Sequence, residues 1–281
     1  MKEHRLTGEG VAAYVRWLRE EERSPGTIEK HLRDLRQFAA WLGKREVTKE
    51  GVIQWKKDLC TGGKEPATIN GKLAALNSFL TFAGWPECRV KGLKLQRRLF
   101  RERGRALSRE EYQRLTATAR EAGKERLALL METICATGIR VSEVKDITLE
   151  AVRAGRAEIS LKGKIRAILL PGKLCRKLRK YARAQKITSG ALFLTRSGRP
   201  LSRKQIWAEM KTLCQGAGVE ATKVFPHNLR RLFARCFYGV SRDLASLADV
   251  LGHSSIETTR IYLMSTGEEH VKTLERLGLV G

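Results

Sequence analysis

The chain has 281 residues, of which 55 are Lys or Arg and 30 are Asp or Glu, a formal charge of +25. Such an imbalance calls for a polyanionic partner, the alternative being solvated basic helix faces, and the length holds one or two domains with cores of their own. No run approaches the roughly 18 apolar residues of a membrane span, and Met1 to Arg23 lacks the apolar centre of a signal peptide, so a cytoplasmic protein with no membrane partner is expected.

Four helices are expected in the first third. Thr7 caps one that carries Val11, Tyr14, Val15 and Leu18. Ser24-Pro25-Gly26-Thr27 opens a second, with Thr27 as its cap and a buried stripe from Ile28 to Leu42. Its other positions hold Lys30, His31, Arg33 and Arg36. Thr48 starts a third helix, which Thr61-Gly62-Gly63 ends, and Pro66 starts a fourth, running to Gly84. With short loops these make a small helical bundle over residues 1–96. Residues 97–105 contain Arg97, Arg98, Arg101 and Arg103 and lack apolar periodicity, as a linker does. This segment either follows a phosphate backbone or is a bare tether, and the basic character of the chain favours the first.

Residues 106–281 make a second domain. Ser108 and Glu111 have the spacing of a capping box, and an apolar helix through Leu127 and Ile134 ends at Gly138. Glu158–Leu161 and Ile165–Leu170 read as two strands around a turn Lys162-Gly163-Lys164. From Gly172 onward the pattern is helical. The fold class expected is mainly α with a small β-hairpin, an α+β arrangement. The six cysteines, Cys60, Cys88, Cys135, Cys175, Cys214 and Cys236, are scattered without a C-x-x-C pair. That argues against disulfides and against a cysteine-bound metal.

Several residues carry chemistry. Arg140 follows the Gly138 break and precedes a short helix, a setting for anion binding or for an ordinary ion pair with Glu143. Lys162 stands at the hairpin tip, as a groove-reaching cation or a common turn lysine, and Lys164 offers the same group two residues on. Pro226 opens a helix that sets His227 and Arg230 on one face. Leu251-Gly252 stops another, and the Ser254–Glu257 spacing is that of a capping box for the next. His253 is left at the corner between them, and Tyr262 lies on the second. A lone helical tyrosine is ordinarily core packing. Two histidines, an arginine and a tyrosine are what attack on a phosphodiester by a tyrosine hydroxyl requires.

The segment Ala136-Thr137-Gly138-Ile139-Arg140-Val141-Ser142-Glu143, then Lys162, His227-x-x-Arg230, Leu251-Gly252-His253 and Tyr262, resembles in this order the tyrosine recombinases of phage integrase and Xer type. The resemblance spans nearly the whole chain. It implies a two-domain DNA clamp, with residues 1–96 as the SAM-like core-DNA-binding domain and 106–281 as the catalytic domain. It implies site-specific cutting and rejoining of DNA through a 3′-phosphotyrosyl bond, without metal, ATP or other cofactor, for integration, excision or resolution. Arg140 and Arg230 then clamp the scissile phosphate and Glu143 supports them. Lys162 protonates the 5′-oxygen, His227 is the base, His253 donates to the phosphate, and Tyr262 is the nucleophile. Lys30, Arg33, Arg36, Lys164 and the linker residues Arg97, Arg98, Arg101 and Arg103 become candidate DNA contacts. Asn228 and Arg231 depart from the family, which commonly has aspartate and histidine there.

The resemblance also implies its partners: double-stranded recombination sites and copies of the same chain, as a tetramer on two duplexes. The Glu268–Leu277 tail, with Val271, Leu274 and Leu277 on one face, either folds back or docks on a neighbouring protomer, as the family implies. With the bundle beginning near Thr7, no arm-binding domain is expected, and simple sites bound by two protomers are. An accessory DNA-bending or excision factor is compatible with this, in a bacterial, phage or mobile-element setting. The rivals are a type IB topoisomerase and a catalytically silent DNA-binding regulator.

Overall fold

The computed structural model describes residues 4–94, 104, 106–161, 164–263, 271 and 274–278, with backbone alone at 161 and 164. The chain divides between Arg97 and Arg98 into two compact units.

The first unit holds four helices, α1 (Gly8–Glu20), α2 (Pro25–Leu42), α3 (Lys49–Thr61) and α4 (Pro66–Phe82), followed by a 3-10 turn at Pro86–Cys88. Thr7 and Thr48 cap α1 and α3 through their hydroxyls, which accept from Gly10 and Gly51 N–H. The cap of α2 is Ser24 rather than Thr27. Pro25, with its φ already helical, takes the first position, so Thr27 lies inside the helix and donates its N–H to Ser24 Oγ. Tyr14, Phe38, Trp55 and Phe79 fill the centre, with Tyr14 and Phe79 edge to face. Asp34 is buried on α2, and Lys30 and Lys72 neutralise it from α2 and α4. Lys30 also donates to Gly71 O across 2.8 Å, so this ammonium pins α2 to α4.

The second unit begins with α5 (Arg109–Glu121), opened by the Ser108–Glu111 capping box. Next come α6 (Glu125–Thr137), a 3-10 turn (Val141–Asp146) and α7 (Leu149–Ala154). An antiparallel hairpin of β1 (Arg156–Leu161) and β2 (Lys164–Leu169) follows, with Ile159 opposite Arg166. Lys164 belongs to β2, paired with Leu161, and not to the turn as the sequence pattern suggests. The remainder is α8 (Gly172–Ala184), α9 (Arg203–Lys211), α10 (Pro226–Ser241), α11 (Leu244–Leu251) and α12 (Ile256–Leu263). Helix α12 starts at Ile256, one residue later than a Ser254–Glu257 box requires, so Ser255 precedes it.

Helix α6 is the hub of this unit. Leu127 through Met131, Thr133 and Ile134 are all buried, apolar on nearly every side as a central helix must be. It stops at Gly138, whose φ of +65° suits glycine alone, and whose added Cβ would fall 2.4 Å from Phe233 of α10. The α6–α10 approach therefore depends on that missing methyl. Cys88, Cys175 and Cys214 are buried as small apolar groups, whereas Cys60 and Cys236 are exposed, and all six thiols are free. Among the described residues no helix is long and apolar enough to cross a membrane. Of the tail, Val271, Leu274 and Leu277 are described and exposed.

Candidate active site

Four chain segments converge beside the end of α6. Arg140 leaves the Gly138 stop in extended conformation and begins the 3-10 turn. Its backbone N–H is already used, donating to Glu143 Oε2 at 2.7 Å, so this turn offers no free N–H at Arg140 for an anion. The guanidinium donates to Glu143 Oε1 at 2.8 Å and to Gly252 O at 3.3 Å, with more than a third of the side chain still open. Glu143 is buried, which a carboxylate tolerates only when paired and hydrogen-bonded.

Arg230 enters from the start of the second turn of α10 and is buried. It donates to Gly138 O, to Leu251 O at 2.8 Å and to His253 Nε2 at 3.0 Å. Its Nε is buried with no hydrogen-bond partner, a donor that an anion's oxygen would satisfy. Burial, then the Arg140 charge, work against its protonated form, and the nearby Tyr262 hydroxyl oxygen counters them.

His253 sits at the α11–α12 corner, where Gly252 takes a left-handed φ of +63°. Arginine cannot accept a hydrogen bond, so His253 Nε2 carries the lone pair. Nδ1 then carries the proton and donates to Thr259 Oγ1 at 2.9 Å. Removal from water, then the charges of Arg230, Arg140 and Arg166, push this histidine down to about 4. His227 is also pushed down to about 4, by partial withdrawal from water and then by Arg231, Arg230, Arg203 and Arg140. Its ring keeps an exposed face, through which solvent softens these charges, but the direction stands: a neutral imidazole at pH 7.

Tyr262 is buried between the two histidines. Its ring stacks on His253 at 5.2 Å with a 14° interplanar angle, and lies 5.2 Å from His227 at 50°. The Arg230 guanidinium carbon is 5.9 Å from its centroid. These groups open on a cleft of about 660 Å³ lined by Arg140, Ser142, Pro226, His227, Arg230 and Tyr262, with Arg203, Lys204 and Trp207 of α9 on one wall.

Five of the six expected chemical residues thus meet in one place. Lys162, Arg97, Arg98, Arg101 and Arg103 lie outside the described residues, and for Lys164 only the backbone is described. On the first unit Arg33 and Arg36 are exposed, while Lys30 is engaged with Asp34 and Gly71. Four residues at this site escape a reading of the pattern. Arg166 of β2 reaches Glu143 Oε2 at 2.7 Å and also donates to Leu251 O. No local signal marks it, since its partners lie 23 and 85 residues away. Thr259 fixes the His253 ring, and Arg203 and Trp207 face the cleft from the first two turns of α9, which the Ser202–Gln205 capping box opens. Asn228 is buried and donates to Lys223 O at 2.8 Å, closing the entry to α10.

The Phage integrase family model matches residues 105–269, more than half of the chain, and that of the phage integrase N-terminal SAM-like domain matches residues 11–86. Tyrosine recombinase XerC of Roseiflexus castenholzii is 31% identical over 90% of this chain and 88% of its own. Tyrosine recombinase XerA of Thermococcus kodakarensis is 29% identical over 97% and 96%. Among solved structures, a lambda integrase tetramer bound to a Holliday junction superposes with a TM-score of 0.70 at 17% identity, over 90% of this chain and 76% of that one. The chain belongs to the phage integrase family and is a tyrosine-type site-specific DNA recombinase.

Proposed function

We propose that Tyr262 is the nucleophile, cutting one DNA strand in cis and leaving a 3′-phosphotyrosyl bond. The observation that carries this is the packing of Tyr262 against His227 and His253 of its own chain, beside Arg230. His227, neutral at pH 7, accepts the phenolic proton. Arg140 and Arg230 hold the nonbridging oxygens. Arg140, Arg166 and Arg230 against Glu143 leave a local charge of 3 − 1 = +2. A phosphodiester brings one negative charge and its pentacoordinate transition state two, so the balance suits the transition state better than the ground state. His253 accepts from Arg230 until phosphate draws that guanidinium away. Its single proton then passes from Nδ1 to Nε2 through solvent, with the Thr259 hydroxyl donating to Nδ1 in turn, and the still neutral ring donates to the phosphate.

Lys162 serves as general acid for the 5′-oxygen, a role that rests on the family resemblance. Religation reverses these steps and needs no external energy, because the phosphotyrosyl bond stores that of the broken linkage. Arg33 and Arg36 of α2, Lys164 and the four linker arginines bind the DNA backbone of recombination sites. Protomers assemble as a tetramer on two duplexes, with the apolar tail residues Val271, Leu274 and Leu277 docking on a neighbour; their exposure supports this.

The test is a phosphotyrosyl trap. Duplexes from the DNA flanking the gene, nicked so that the short fragment bearing the freed 5′-hydroxyl diffuses away, should collect a covalent complex whose tryptic peptide carries Tyr262. Tyr262→Phe should bind the same DNA and collect none. A covalent complex that persists in Tyr262→Phe removes the assignment. Strand exchange between two duplexes, rather than relaxation alone, separates the recombinase from a topoisomerase.

A further inference from the structure

Strand β2 alternates cleanly. Ile165, Ala167 and Leu169 are exposed, while Arg166 and Ile168 face inward. A charge on the inner side of a strand is costly unless it is paired. Arg166 is paired twice, to Glu143 Oε2 and to Leu251 O. The chain at Gly252 presses on the same side chain. A Cβ there would fall 2.3 Å from Arg166 Cδ and 2.5 Å from Nη1. One guanidinium therefore touches the turn behind Arg140, the strand, and the corner that presents His253.

Arg166 does not line the cleft, whereas Arg140 does. Its charge is spent on Glu143. That matters because Glu143 also binds Arg140. With Arg140 as its sole cation, the buried carboxylate would form a one-to-one pair and cancel the charge that Arg140 presents to a phosphate. With two cations on it, half of its demand falls on Arg166. The Leu251 carbonyl is shared in the same way, between Arg166 and Arg230.

We propose that Arg166 is a positioning residue for strand cleavage: it holds Glu143 and the Leu251–Gly252 corner so that Arg140 and His253 face the scissile phosphate with Arg140's charge unspent. This rests on the assignment of Arg140 as a phosphate ligand. It predicts a specific coupling. Removing Arg166 should matter while Arg140 is present and much less once it is gone.

The experiment is a double-mutant cycle on the full-length protein, with the nicked duplex carrying the cleavage position mapped by the trap. Arg166→Ala should slow single-turnover cleavage roughly 10²-fold, about the effect of losing one preorganised contact, and shift half-saturation by DNA less than about threefold. In an Arg140→Ala background it should cost about tenfold or less. An undiminished loss in that background would make Arg166 independent of Arg140 and overturn the proposal, as would full activity of Arg166→Ala. If Arg166→Ala does not fold, Arg166→Lys replaces it. Its single ammonium can meet Glu143 but cannot also span to Leu251 O, so it should fold and cleave slowly; wild-type cleavage would overturn the bridging role. Wild-type cleavage by Arg140→Ala alone would instead remove the Arg140 assignment on which the proposal stands.

Discussion

Arg230 donates to His253 Nε2 across 3.0 Å, and that one contact fixes the histidine as a neutral ring protonated on Nδ1. The same guanidinium bears on His227, where Arg231 is the nearest charge in effect. Withdrawal from water first, and these arginine charges second, push both histidines down from the ordinary 6.5 to about 4. The unfolded chain takes up protons at them as pH falls below 6.5, while the folded chain resists until about 4. Folding stability contributed by these two sites is present above that window and lost as pH falls through it.

Catalysis follows the same sign. His227 must be neutral to accept a proton, so the acid limb for cleavage at subsaturating protein should lie well below pH 6.5. Arg231→Gln removes the largest charge effect on His227, and should move that limb upward without changing the alkaline side. Cleavage rates from pH 4.5 to 8, with the His227 ring titrated by NMR, check this. A limb that stays in place would mean that His227 is not the base.

The two arginines proposed to hold the phosphate should behave differently from surface cations. Arg140→Ala and Arg230→Ala should each slow cleavage by at least about 10²-fold while site binding changes little, since many basic groups share binding. Arg230→Ala should also lower the melting temperature, because Gly138 O and Leu251 O lose a buried donor. Arg140→Ala, half-open to solvent, should lower it less. Parallel filter-binding and trap assays separate the outcomes, and equal losses in both would make these residues anchors only.

Much of this was legible from residue order. Helix caps at Thr7, Thr48 and Ser108 are local chemistry, set by side-chain oxygens within three residues of the N–H they accept from. The stops at Gly138 and Gly252 are local as well, since a positive φ favours glycine wherever it occurs. The Ser24 cap was misread because Ser24 and Thr27 are both good caps, and only the proline between them decides. Arg166 was not legible. Its partners, Glu143 and Leu251, are 23 and 85 residues away, and nothing local distinguishes an inward arginine from an edge one. His253's tautomer was hidden for the same reason, as its partners come from α10 and α12.

Gly138 is the point where fold and site depend on each other. It ends α6 in a left-handed conformation, receives Phe233 against its bare Cα, and gives its carbonyl to Arg230. Gly138→Ala adds both a conformational penalty and a clash at 2.4 Å with an aromatic ring. A loss of about 1–3 kcal/mol in urea denaturation is expected. Cleavage should fall further than stability accounts for, since any shift of α6 from α10 displaces Arg140 relative to Arg230. Gly155→Ala is the control: it has the same sign of φ, with nothing within 4 Å of the added Cβ. It should cost stability alone.

The last prediction concerns salt. A protein of charge +25 that grips a phosphate backbone releases counterions on binding, so log affinity should fall with log salt by about 0.9 per phosphate contact. Arg33 and Arg36 are exposed on α2, whereas Lys30 on the same helix is held by Asp34 and Gly71. Arg33→Gln with Arg36→Gln should therefore flatten the slope by up to about two contacts and leave the melting temperature unchanged. Lys30→Gln should do the reverse: it strips a cation from buried Asp34 and should destabilise the bundle, with little effect on the slope. Neutralising Arg97, Arg98, Arg101 and Arg103 together should flatten the slope as the α2 pair does if the linker follows the backbone. An unchanged slope would leave it a tether. Titrations from 50 to 300 mM salt, with melting curves on each variant, decide all three, and a slope that answers to Lys30 rather than to Arg33 and Arg36 would move the DNA to a different face of α2.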